Sequence, residues 1–145
     1  MNILVIQGPN LNNLGRRDPS IYGSTTLETI HQQLTNIATE HGLTISFFQS
    51  NHEGQLIDHV QTNVTSTSAI IINSGAFTHY SYALRDALED ARVPIIEVHL
   101  SNIHSREPWR RHSVIADVCL GQISGLGPYG YTAALHYLID HYRSK

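Results

Sequence analysis

Five short runs rich in β-branched residues alternate with segments whose apolar positions recur every three or four residues, and few architectures accommodate that rhythm. The runs lie at 3–7, 44–49, 69–73, 95–99 and 117–123, bounded by Gly, Pro and Asn, the punctuation expected of strands. Leu27, Ile30, Leu34, Ile37 and Ala38 share one helical face. Thr25-x-x-Glu28 ahead of them reads as a capping box, and Gly42 after His41 reads as the stop. Leu56, Ile57, Val60 and Val64 predict a second helix over 54–65. A third runs from near Ser81 through Ala83, Leu84, Ala87, Leu88 and Ala91 and ends before Pro94, and a last spans 131–143. The stretch 104–112 reads as a short helix or turn. Alternating βα units imply a parallel sheet covered by helices on both faces. With five strands the expectation is an α/β, flavodoxin-like three-layer sandwich of order 2-1-3-4-5, wrapped by right-handed crossovers. Without a repeat, linker or low-complexity segment, residues 1–145 are expected to form a single domain.

Composition excludes several classes. A net charge of -3 and a pI near 6.3 leave no electrostatic footprint for nucleic acid. One cysteine, Cys119 in Val118-Cys119-Leu120, rules out an intrachain disulfide framework, fits a reducing compartment and reads as a small buried hydrophobe. The chain opens on a strand pattern rather than a signal peptide, and no apolar run approaches the roughly 20 residues of a membrane helix. A soluble cytoplasmic protein with no membrane partner is expected. Of the ten histidines, His31, His41, His136 and His141 fall on helical faces and read as surface or rim residues.

In an open parallel sheet, ligands bind beyond the carboxyl ends of the strands. Those ends are Gln7-Gly8-Pro9-Asn10, Asn51-His52-Glu53-Gly54, Asn73-Ser74-Gly75-Ala76-Phe77-Thr78-His79 and Glu97-Val98-His99-Leu100-Ser101-Asn102. Asn10, Glu53, Asn73, His79, His99 and Ser101 should therefore converge on one rim. Amides, hydroxyls and imidazoles can both orient and discriminate hydroxyl groups, which suits a polyhydroxylated small molecule. The connection at about 8–24, about 17 residues, exceeds the usual βα loop, and such loops are more often lids or binding loops. It carries Arg16, Arg17 and Tyr22. A guanidinium beside a phenol favours the phenolate, whereas an unperturbed tyrosine, with a pKa of about 10, is no base at neutral pH. Arg106, Arg110 and Arg111 add positive charge after the fourth strand, and guanidinium matches a carboxylate in bidentate fashion. An anionic, hydroxylated ligand is the economical reading. Each of these residues also has a plain structural use; their shared placement is what raises them together.

Other site classes fit poorly. The first strand is followed by neither a P-loop nor Gly-x-Gly-x-x-Gly, and Asn73 stands where a receiver domain would place an aspartate. No Gly-x-Ser-x-Gly elbow is present. His99 and His104 lack metal-ligand spacing and cysteine partners, so no metal is expected.

Taken together, these motifs resemble the type II 3-dehydroquinate dehydratases (type II dehydroquinases) of the shikimate pathway, over nearly the whole chain. The resemblance rests on Gly8-Pro9-Asn10-Leu11-Asn12, Leu14-Gly15-Arg16-Arg17 with Ile21-Tyr22-Gly23, and Asn51-His52-Glu53-Gly54. It continues through Ile72-Asn73, Gly75-Ala76-Phe77-Thr78-His79, Glu97-Val98-His99-Leu100-Ser101-Asn102-Ile103, Arg106-Glu107, Arg110 and Gly125-x-Gly127 with Gly130-Tyr131.

The resemblance implies a hydro-lyase without cofactor that converts 3-dehydroquinate to 3-dehydroshikimate and water by anti elimination through an enolate. Tyr22 would be the base, Arg17 its counter-charge, His99 the general acid, and Asn10 would act through a water near the enolate. Asn73, His79, Leu100, Ser101 and Arg110 would bind substrate, with Glu53 and Arg106 as supporting or lid partners. Asp86 would reach a neighbouring subunit's site in a homododecamer built of trimers. The alternative type I chemistry needs a Schiff-base lysine, and the only lysine, Lys145, is a poor candidate. Two positions depart from the family pattern: Ser74 stands where proline is usual, which could alter the turn presenting Asn73 and His79, and Asn13 where an apolar residue is usual. The competing reading is a non-catalytic flavodoxin-like module that binds a hydroxylated acid or nucleotide.

Overall fold

A computed structural model describes residues 1–144; Lys145 lies outside the described residues. Five strands, β1 (Asn2–Gln7), β2 (Thr44–Gln49), β3 (Ala69–Asn73), β4 (Ile95–His99) and β5 (Gly121–Ser124), form one all-parallel sheet in the order β2-β1-β3-β4-β5. The strand order is the expected one. Five α-helices are present among the described residues: α1 (Pro19–Tyr22) and α2 (Leu27–Glu40) between β1 and β2, α3 (Glu53–Asn63) between β2 and β3, α4 (Tyr82–Ala91) between β3 and β4, and α5 (Tyr129–Arg143) after β5, with only 3₁₀ turns between β4 and β5.

The central strands are buried on both faces, so β1, β3 and β4 read as continuous apolar runs rather than alternating ones. One face packs Ile3, Val5, Ala69, Ile71 and Val98 against Leu34 of α2 and Leu135 and Leu138 of α5. The other packs Leu4, Ile6, Ile70 and Ile72 against Leu56 of α3 and Leu84 and Leu88 of α4. The two cores cover opposite faces of the sheet, and the cavity described below lies at its carboxyl edge.

Several local expectations are corrected. The fifth strand begins at Gly121, not at 117, because Ser113 Oγ accepts the amides of Ile115 and Ala116 and winds Ala116–Val118 into a 3₁₀ turn. Asp117 then pairs outward with Arg85 at 2.9 Å. Thr26, not Thr25, caps α2 by accepting the Thr29 amide, so the Thr25–Glu28 box does not form. The second helix covers Glu53–Asn63 and continues as a 3₁₀ turn, Val64–Ser66. Ser66 and Thr67 hydroxyls donating to the Asn63 carbonyl end it there. The last helix starts two residues early, after Pro128 with its helix-compatible φ of -58°. The 104–112 stretch holds two 3₁₀ turns, Ile103–Ser105 and Pro108–Arg111.

Candidate active site

The carboxyl ends of β1 and β3 are drawn together by a contact that only glycine allows. A Cβ on Gly8 would lie 2.3 Å from the Ser74 carbonyl oxygen. With that approach, Gly8 N–H donates to the Asn73 carbonyl at 2.8 Å, and Asn10 turns back in the left-handed region at φ 68°, which asparagine tolerates. Its amide is held by Asn51 Oδ1 at 2.9 Å. Asn73 is buried, and its Oδ1 accepts the Gly75 amide at 3.1 Å. Its side-chain NH₂ therefore remains to face the site.

The 8–24 segment is more ordered than a loop. Its first turn, the 3₁₀ helix Leu11–Asn13, ends on the Asn13 carbonyl, which accepts the amides of Arg16 and Arg17. Asp18 then caps α1 by accepting from Ser20. These two turns set Arg17 and Tyr22 on the same side, where Arg17 Nη2 donates to the Tyr22 phenol oxygen at 2.9 Å. A second cation, Arg106, lies 5.2 Å from the Tyr22 ring. Arg16 is exposed and contributes no lining to the cavity. Asn13 is exposed too, so a polar side chain suits it.

Across the cavity, His99 Nε2 stands 2.7 Å from Oε1 of Glu97. The two residues are two apart in β4 and so share one face. Glu97 is wholly buried, yet it is surrounded by donors: the Thr78 hydroxyl at 2.5 Å, the Ser113 hydroxyl at 2.9 and 3.0 Å, and the Gln122 amide at 2.9 Å. Burial pushes its pKa up, but the bonds from His99, Thr78 and Gln122 and the His99 charge outweigh it, so the carboxyl sits below its usual range. Glu97 is thus an ionised acceptor that takes the Nε2–H of His99 and leaves Nδ1 as its other polar atom.

Backbone geometry adds donors. The carbonyls of His99, Leu100 and Ser101 accept from Gly125, Gly127 and the Ser124 hydroxyl. In a trans peptide the N–H points opposite to the C=O, so the Leu100 and Ser101 amides turn away from that loop, and both residues line the cavity. His79 Nδ1 donates to the His112 carbonyl at 2.8 Å. Burial, with lesser contributions from His99 and Arg110, keeps the His79 imidazole neutral below its usual pKa, so Nε2 is a hydroxyl acceptor. Arg106 donates to Ser101 Oγ at 3.1 Å, and Arg110 is held by Glu107 and stacks over Trp109.

Ten of the twelve expected residues line one cavity of about 110 Å³: Asn10, Arg17, Tyr22, Asn73, His79, His99, Leu100, Ser101, Arg106 and Arg110. Glu53 and Asp86 do not. Glu53 opens α3, and the contact from its loop to the site is made by Asn51 instead. Asp86 is exposed on α4 beside Arg85. Sequence reasoning missed Glu97 with its ring of Thr78, Ser113 and Gln122. The available signal was a lone carboxylate in the apolar run Ile95-Ile96-Glu97-Val98, two residues before His99.

The profile of the family described as Dehydroquinase class II matches residues 1–139. The chain belongs to that family. A 3-dehydroquinate dehydratase of Herpetosiphon aurantiacus is 55% identical over 140 residues, 97% of each chain. One from Thermotoga neapolitana is 53% identical over 138 residues, covering 95% of this chain and 94% of its own. The crystal structure of the type II dehydroquinase from Butyrivibrio crossotus superposes with a TM-score of 0.93 at 46% identity, over 95% of this chain and 97% of that one. Family membership fits the expected strand order and the composition of the cavity.

Proposed function

We propose that the chain is a 3-dehydroquinate dehydratase acting in the shikimate pathway, eliminating water across C1 and C2 of 3-dehydroquinate to give 3-dehydroshikimate. The observation that carries this reading is the pairing of Tyr22 with Arg17 at 2.9 Å in the same cavity as His99, which is backed by the buried Glu97. Tyr22, as the phenolate countered by Arg17, removes the C2 proton, which is acidic because it lies α to the C3 ketone. The electron pair moves into an enolate, and preorganised polar groups around Asn10 stabilise it, directly or through a water. Collapse of the enolate forms the C1–C2 double bond and expels the C1 hydroxyl, which takes a proton from His99 and leaves as water. Glu97 accepts the opposite N–H of that imidazole, orients the ring and balances its charge. A base and a separate acid from different elements suit anti elimination. The Leu100 and Ser101 amides and the Asn73 NH₂ suit the substrate carboxylate, and His79 and Arg110 suit its remaining hydroxyls.

In the same reading, residues 1–145 act as one catalytic domain whose 8–24 segment is the lid, and Arg106 steadies that lid through Tyr22 and Ser101. Glu53 supports the Asn51 loop. Asp86, exposed and outside its own cavity, serves a neighbouring subunit's site in a homododecamer of four trimers, which native mass measurement tests. Cytoplasmic placement belongs to the same reading; no helix among the described residues is long and apolar enough to cross a membrane, and Cys119 is free. The direct test is to mix purified protein with 3-dehydroquinate and follow product enone absorbance. Tyr22→Phe should lower kcat by about 10²–10⁴-fold, the usual worth of a general base, with substrate binding retained. A variant that kept most of kcat would remove Tyr22 from the mechanism.

A further inference from the structure

One polar layer interrupts the apolar stack beneath the cavity. Gln7 and Asn73 are register partners at the ends of β1 and β3. Both are buried and extend the rows Ile3–Val5 and Ala69–Ile71 that pack on α2 and α5. His31 of α2 and Tyr131 of α5 meet them there. The His31 ring stacks on Phe47 at 4.0 Å, and its Nε2 lies 2.7 Å from Gln7 Oε1. The Tyr131 phenol is completely buried and faces the side-chain amides of Gln7 and Asn73.

With the Gln7 amide in that orientation, Gln7 Nε2 and Tyr131 Oη are both left without partners, which is costly for buried polar atoms. A half-turn of the amide exchanges its oxygen and nitrogen without changing its shape. Gln7 Nε2 then donates to His31 Nε2, which accepts when the ring, kept toward its neutral form by burial, carries its one proton on Nδ1. The Tyr131 hydroxyl donates to Gln7 Oε1. The Asn73 NH₂, whose oxygen is already committed to Gly75, donates to the phenol oxygen. Every group is satisfied, and the donors run one way, from Asn73 through Tyr131 and Gln7 to His31.

We propose that Tyr131 and Gln7 are positioning residues that hold the Asn73 amide in its substrate-facing orientation through this one-way hydrogen-bond chain. The dehydratase reading enters only in what Asn73 does, namely bind the substrate carboxylate. Asn73 contacts ground state and transition state alike, so loosening it acts on KM. Tyr131→Phe removes the central link while keeping the core filled.

Two measurements on the full-length protein decide the proposal. Long-range proton–nitrogen NMR of the wild type should show His31 with its proton on Nδ1 and a bare Nε2. Tyr131→Phe and Gln7→Met should each raise KM by about five- to tenfold, the size of one net hydrogen bond, with kcat nearly unchanged and no further rise in the double variant. A purely structural role predicts the reverse: Tyr131→Phe sheds an unpaired hydroxyl, becomes more stable and keeps the parental KM. That result, or a proton on His31 Nε2, overturns the proposal. Failure of the wild type to turn over 3-dehydroquinate would instead refute the dehydratase reading, and the His31 tautomer alone would then decide the chain.

Discussion

Replacing Glu97 with glutamine separates the charge of the His99–Glu97 pair from its geometry. The Glu97 carboxylate accepts from Thr78, Ser113, Gln122 and His99. In Glu97→Gln the amide oxygen can keep the Oε1 position, where His99 and Thr78 donate. The new NH₂ then falls at Oε2, where the Gln122 amide can turn over to accept, while the Ser113 hydroxyl, whose lone pairs hold the Ile115 and Ala116 amides, keeps donating to Oε1. Stability should change little, because losing charged bonds is offset by no longer burying a charge, a balance that often comes near zero. Activity should not survive so well. A bond to a charged acceptor exceeds one to a neutral acceptor by about 1–1.5 kcal/mol. That difference matters most when His99 carries the proton it is about to deliver, so kcat should fall by about tenfold or more, with KM nearly constant. Steady-state turnover of 3-dehydroquinate and urea unfolding of the same preparation provide the test. A Glu97→Gln enzyme with kcat within twofold of the parent, at equal stability, would refute the argument that the carboxylate's charge serves the acid. Glu97→Ala is the contrast: it strands the buried donors of Thr78 and His99 and should unfold more easily, since each buried orphan costs about 1–3 kcal/mol.

Ser74→Pro should raise stability by about 0.4–1 kcal/mol through the unfolded chain, read as a higher urea midpoint. Ser74 has φ -77°, its amide donates no bond among the described residues, and its buried hydroxyl is unpartnered. Gly8→Ala should do the opposite, destabilising by about 1–3 kcal/mol and lowering turnover, because the clash at 2.3 Å is with backbone and must part the loops carrying Asn10 and Asn73. Stability should fall as pH drops below about 6.5, the unfolded histidine value. His31, His59 and His79 all have folded pKa values lowered by burial, so the unfolded chain binds protons there that the native chain does not. Urea midpoints measured from pH 7.5 down to 5.5 read this directly, and a flat profile would contradict it.

What the chain determined by itself was the sheet and the rim. Uninterrupted β-branched runs mark strands buried on both faces, and the rule that parallel sheets bind at their carboxyl ends then selects Asn10, Glu53, Asn73, His79, His99 and Ser101 without coordinates, of which all but Glu53 line the cavity. The 8–24 segment was legible as a long connection bringing Arg17 and Tyr22 to the cavity. Tertiary structure decided what depends on partners distant in sequence. Arg16 and Arg17 are indistinguishable as letters; the turn closed on the Asn13 carbonyl chooses Arg17 for Tyr22. Asp117 looked like the start of a strand until Ser113 and Arg85 drew it outward. Glu97 reads as an anomaly in an apolar strand, and its ionised state exists because Thr78, Ser113, Gln122 and His99 arrive from four places in the chain. Local pattern fixes which elements form because burial repeats with their period, whereas a buried charge or a paired phenol is settled by the particular donors the fold brings around it.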